Sequence, residues 1–171
     1  MECDVCGCHD VHRTEVEGFV LEECRLCGNI QGDDEAVVRV EELREGRQEG
    51  IEDDVYPLVK ALRAIPTFRT ISSCGGHIER REPPYVWFTI EKDTLAYLER
   101  LTVSVSMANR VARCRWVVEV TMQRKLTFHL KPNFYRHAAD VPASRIADAI
   151  ADLEILARTF KRDRDLAWFR Q

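Results

Sequence analysis

The sequence predicts an α+β fold: an antiparallel or mixed sheet with packed helices, preceded by a small module tied together by cysteines. Three observations carry this. Five of the seven cysteines fall within the first 27 residues. From about residue 53 the apolar residues switch between helical and alternating spacing, in the order helix, strand, strand, helix, strand, strand, helix. A hydrophobic content of 45% beside 32% charged residues suffices for a buried core. No apolar run approaches the roughly 18 residues of a membrane span, so no membrane partner is expected. The opening Met1-Glu2-Cys3-Asp4 has no basic or apolar leader character, which predicts no secretory signal and a cytoplasmic protein.

Residues 1–30 carry two C-x-x-C pairs, Cys3/Cys6 and Cys24/Cys27, separated by 17 residues. In a reducing compartment clustered cysteines read as metal ligands rather than disulfides. Each pair can form a knuckle that offers two sulfurs to one ion, and four thiolates suit tetrahedral zinc, leaving no open position, so the site reads as structural. Gly7 and Gly28 follow the second cysteine of each knuckle, where the turn calls for a positive φ. Arg13 to Glu23 alternates as two short strands meeting near Glu17-Gly18. The pattern resembles a zinc ribbon. Cys8 and His9 are spare donors, and iron can take the same four ligands.

Residues 31–52 read as an acidic linker, with a short apolar patch (Val37, Val38, Val40, Leu43) as the last ribbon strand or its extension and Gly46 and Gly50 as a hinge. Charge is unevenly spread. Residues 1–56 hold 17 acidic residues against five arginines, a balance of −12, whereas residues 57–171 hold 12 against 20 basic ones, a balance of +8. A basic rear half suggests a nucleic-acid surface, or one that pairs with the acidic front.

The main domain spans 53–171. Asp54 reads as an N-cap and Pro57 as a first-turn residue of a helix over Val55–Ala64, ended by Pro66. Thr67 to Ser73 reads as a strand and Tyr85 to Glu91 as the next. Asp93 caps a helix with Leu95, Leu98 and Leu101 on its apolar side. Ala112 to Thr121 and Lys125 to Leu130 read as paired strands. Pro132 to Pro142 reads as a loop bearing Tyr135, Arg136 and His137, and Ser144 as the start of a long helix with Ile146, Ile150, Leu153, Ala157 and Phe160 on one face, running to Trp168 and Phe169.

Chemistry concentrates at Ser72-Ser73-Cys74-Gly75-Gly76-His77, read as a loop at a strand end that presents Cys74 and His77 to a shared space. Its two glycine amides are open to an anionic group. With the preceding Ile65-Pro66-Thr67-Phe68-Arg69-Thr70-Ile71, this loop resembles the Ser-Ser-Cys-Ser-Gly-Arg segment of the wybutosine-synthesising tRNA methyltransferase family. The similarity runs from about Asp54 to Phe88 and includes the Pro57-Leu58 step of the helix before it. The resemblance implies an α+β fold and S-adenosylmethionine-dependent methylation of a modified guanosine in tRNA. It implies Ser73, Cys74 and His77 as catalytic candidates and Ser72, Gly75 and Gly76 as cofactor contacts. Gly75 stands where that family has Ser and His77 where it has Arg, and a cysteine module is not part of its usual form.

Three functional readings follow. In the first, the protein acts on or binds RNA, tRNA in particular, with Arg80, Arg81, Arg113, Arg115, Arg124 and Lys125 taking phosphates and Tyr85 and Trp87 stacking bases if their shared strand face points outward. In the second, Cys74 is a nucleophile with His77 as its base, oriented by His129, His137 or Asp140. In the third, the protein is a non-catalytic regulator whose ribbon binds a protein partner and whose Cys-Gly-Gly-His loop senses a ligand.

Overall fold

The computed structural model describes residues 2–7, 9–16, 19–25, 27, 29–122, 126–134, 141–166 and 169. Cys8, Gly18, Gly28, Arg124, Lys125, Tyr135, Arg136, His137, Asp140 and Trp168, all singled out above, lie outside the described residues. The chain divides into two units, Met1–Glu49 and Gly50–Gln171.

In the first unit β1 (Val11–Val16), β2 (Phe19–Cys24) and β3 (Ile30–Gly32) form an antiparallel sheet in that order. The β1–β2 pairing runs from Val11 opposite Cys24 to Val16 opposite Phe19, as the alternation predicts. The acidic segment is not a linker. Asp34–Gln48 forms α1, a 15-residue helix, so Val37, Val38 and Val40 lie in a helix and the third strand is Ile30–Gly32 instead. The Asp33 carboxylate accepts the amides of Glu35 (3.0 Å) and Ala36 (3.4 Å), and Asp34 and Glu35 sit at the positive end of the helix dipole. Arg44 donates to Glu23 at 2.6 Å and ties α1 to β2. Gly46 lies inside the helix, and Gly50 just beyond its end takes φ +72°.

The second unit is an α+β layer structure. Its elements are α2 (Tyr56–Arg63), β4 (Phe68–Cys74), β5 (Tyr85–Ile90), α3 (Thr94–Ala108), β6 (Trp116–Met122), β7 (Leu126–Pro132) and α4 (Ala143–Asp165). The sheet order is β4-β5-β7-β6, antiparallel throughout. One face is packed under the helices: Phe68, Phe88 and Phe128 stack across three strands at 5.3 and 5.6 Å, joined by Val86, Leu130, Leu58, Leu62, Leu153, Leu156 and Phe160. Phe169 docks into this core against Phe68 and Tyr97.

Several expected details shift. Asp54 does not cap α2: the Glu52 carbonyl accepts the amides of Val55 and Tyr56, so a backbone turn enters the helix without a side-chain cap. Asp93 stands at φ +48° without capping α3, and Leu95 is 80% exposed while Tyr97, Leu101 and Val105 face inward. β6 starts at Trp116, not Ala112. Asn109 clamps the strand start, its amide donating to the Trp116 carbonyl at 2.9 Å and its carbonyl accepting the Trp116 amide at 2.7 Å.

Candidate functional site

The four sulfurs of Cys3, Cys6, Cys24 and Cys27 all lie within 4.8 Å of one another. Cys3 faces Cys27 and Cys6 faces Cys24, each at 3.6 Å. A disulfide holds sulfurs at about 2.05 Å, whereas a tetrahedral ion with legs of about 2.3 Å sets them about 3.8 Å apart. The cluster is therefore close enough to hold a metal ion, and it is compatible with zinc. The knuckle geometry supports this. The amides of Cys6 and then Val5 hydrogen-bond the Cys3 sulfur and hold its thiol below the ordinary range, and the Gly7 amide closes the turn on the Cys3 carbonyl at 2.9 Å, with Gly7 at φ +69°. The Asn29 amide hydrogen-bonds Cys27 in the second knuckle.

The second site lies in the larger unit. β4 runs on through Ser72, Ser73 and Cys74, so the expected loop begins only at Gly75. A register shift between Thr70 and Ser72 leaves Ile71 as the extra residue, exposed, and sets the faces of the residues that follow. Ser72 pairs with Trp87 and Cys74 with Tyr85, whereas Ser73 pairs with the buried Val86. Ser73 therefore points to the opposite face from Cys74 and does not join it, because strand side chains alternate.

Cys74 and His77 do converge, with a third group the sequence analysis missed. The Glu52 carboxylate lies with them within 4.8 Å. Its Oε1 is 2.9 Å from His77 Nε2, and its Oε2 accepts the Gly75 amide. Glu52 also faces the Cys74 thiol. The carboxylate thus stands between thiol and imidazole, rather than the imidazole between the other two. Burial pushes the Cys74 thiol up, the Gly76 amide at 3.4 Å opposes this, and Glu52 adds to it. The two glycine amides expected to face an anion are turned instead to Glu52 and to the Cys74 sulfur. Gly76 takes φ +92°, and a Cβ there would meet Pro84 Cδ at 2.9 Å and Ile150 Cγ1 at 3.0 Å, so only glycine fits. His77 and Glu82 then exchange backbone hydrogen bonds, closing a short hairpin through Arg80 and Arg81.

Tyr85 and Trp87 share the half-exposed face, while Val86 and Phe88 are fully buried beneath the helices. Opposite Trp87 stands His129 of β7, with ring centroids 4.7 Å apart, and Tyr85 meets the same imidazole edge-on at 5.3 Å. The register puts Ser72, Cys74, Tyr85, Trp87 and His129 on one face. His129 was expected as an orienting partner for His77, and it serves here as part of an aromatic row. Burial, then Lys131, depress its pKa to about 4. A folded pKa below the ordinary 6.5 means that the unfolded chain binds the proton more readily. The stability His129 contributes is therefore complete above pH 6.5 and drains away as pH falls toward 4. Proton NMR titration is expected to show this imidazole neutral down to about pH 4, with the melting temperature of the larger unit declining across the same window.

The basic candidates are dispersed. Arg80 pairs with Glu82 at 3.3 Å and Arg113 with Asp148 at 3.7 Å, while Arg115 is exposed. Arg113 and Arg115 precede β6, at the sheet edge away from β4 but, by the register, at the same end as the Cys74 loop. Comparison of the chain with protein-family models, with curated proteins and with solved structures gives no match.

Proposed function

We propose that the larger unit binds single-stranded RNA on the face of Tyr85, Trp87 and His129, delivering a nucleotide to the end of the sheet where Cys74, His77 and Glu52 lie, and that the N-terminal unit is a structural zinc module. The observation that carries this reading is the row of rings. Two aromatic side chains and a neutral imidazole on the central strands, half-exposed and continuous with the Cys74 edge, offer the stacking platform that unpaired bases use. Because Arg80 and Arg113 are already paired with acids, stacking outweighs charge in this account. Methyl transfer from S-adenosylmethionine is not part of the proposal, since the Gly75 and Gly76 amides that would cradle that cofactor are engaged within the loop.

Titrating a single-stranded oligoribonucleotide into the protein is expected to quench Trp87 fluorescence. The affinity should fall by about fivefold to a hundredfold or more in Trp87→Ala, in line with about 1–3 kcal/mol per stacked base. With Arg81 and Arg115 as phosphate contacts, the salt slope is expected at about −1.4, with about 0.7 per phosphate on a single strand. A duplex of the same sequence, its bases hidden, should bind far more weakly. Equal affinity in Trp87→Ala, or for duplex and single strand, would refute the reading.

A further inference from the structure

We propose that Glu52, Cys74 and His77 form a second metal site, a three-ligand position for a zinc-like divalent cation with a fourth place left open. The site goes beyond RNA binding and stands or falls separately from it. Three donor types meet here from three places: Glu52 from the turn that enters α2, Cys74 from the last residue of β4, His77 from the first residue of the hairpin that follows. Their ligand atoms already lie within 4.8 Å of one another, with His77 Nε2 and Glu52 Oε1 at 2.9 Å. A tetrahedral ion with legs of about 2.0–2.3 Å needs donor separations of about 3.3–3.8 Å, and these atoms already cluster near that range.

The order of the groups favours a cation over a nucleophile triad. In a triad the imidazole sits between the thiol and the acid, so that it can take the thiol's proton. Here His77 Nε2 is bound to the carboxylate, and the same carboxylate faces the thiol. A cation placed among a thiolate, a carboxylate and an imidazole satisfies all three at once, and this mixed S, O, N set suits a borderline metal. The loop is built to hold the set. The Gly75 amide fixes one carboxylate oxygen, the Gly76 amide fixes the sulfur, and the Gly76 backbone is held by Pro84 and Ile150. Three protein ligands with one open position is the form of a reactive rather than a structural zinc site. By contrast, the four cysteines of the first unit fill every position.

The test uses the full chain carrying one zinc, titrated anaerobically with cobalt(II) chloride. Zinc outcompetes cobalt at a four-thiolate site, so added cobalt reports the second site. The expected result is a second metal equivalent by elemental analysis, with visible tetrahedral bands and a near-ultraviolet sulfur-to-cobalt charge-transfer band. That band should vanish in Cys74→Ser. Glu52→Gln keeps the side chain's shape and an acceptor for Gly75, and it should weaken cobalt binding at least tenfold with unchanged melting, so the outcome does not depend on whether Cys74→Ser folds. Binding of only one metal per chain at millimolar cobalt would overturn the proposal. So would a charge-transfer band that survives in Cys74→Ser, or cobalt affinity unchanged in Glu52→Gln.

Discussion

Replacing Cys24 with serine is expected to unfold the N-terminal unit while the rest of the chain stays folded. Among the residues whose side chains are described, the buried apolar ones of that unit are Cys3, Leu21, Cys24 and Ala36. Two of these four are themselves members of the sulfur cluster. A segment this small rarely stands on apolar burial without a metal, a disulfide or a partner. Structural zinc contributes on the order of 10–16 kcal/mol of apparent binding energy in zinc-finger peptides, more than such a unit can lose and remain ordered. Cys24 is fully buried and its sulfur faces Cys6, so Cys24→Ser removes a ligand no solvent group can replace. Amide resonances of Val11–Gln48 should collapse to unfolded positions in Cys24→Ser, or after strong chelation, while those of Tyr56–Asp165 hold. Retention of the β1–β2 hairpin without metal would show that zinc is not what folds it.

Asp152→Ala is expected to destabilise the larger unit by about 3–5 kcal/mol. Asp152 is fully buried on α4. Its carboxylate accepts the Arg113 amide at 2.8 Å, the Cys114 amide at 2.7 Å and the Trp116 indole at 3.3 Å. Alanine leaves two buried donors and one part-buried donor unpaired, each buried one costing roughly 1–3 kcal/mol before relaxation. The loss should appear as a lower urea midpoint, with Trp116 fluorescence changing in the native baseline. Asp152→Asn keeps one acceptor and should lose less. An unchanged midpoint in Asp152→Ala would mean that solvent satisfies those donors.

The large elements were legible because burial wrote them. Leu58, Leu62 and the alternating Tyr85–Ile90 strand have periodicities set directly by what faces the core. What burial does not write was missed. Among its described side chains α1 buries Ala36, leaves Val37 and Val40 half-buried and exposes Val38, and it is rich in acids; its cap, its dipole pairing and Arg44–Glu23 help hold it, and composition alone gives a linker. Asp152 was overlooked because the face of α4 was read from its apolar residues alone. Glu52 was missed for a different reason. It lies 22 residues before Cys74 and reaches it only because α2 turns the chain back beside β4. The four-cysteine cluster was legible outright, since its spacing is itself the geometry. Of the wider loop site, the meeting of Cys74 and His77 was visible in sequence, whereas the separation of Ser73 and the engagement of both glycine amides depend on strand alternation and on Glu52.

The most direct measurement is a nitrogen-15 chemical-shift map of the full, zinc-loaded chain on addition of a single-stranded oligoribonucleotide. The largest shifts are expected at Ser72, Cys74, Tyr85, Trp87 and His129, with smaller ones at Arg80 and Arg81. Shifts confined to the N-terminal unit, or to Arg113 and Arg115 with the aromatic face silent, would contradict RNA binding on that face.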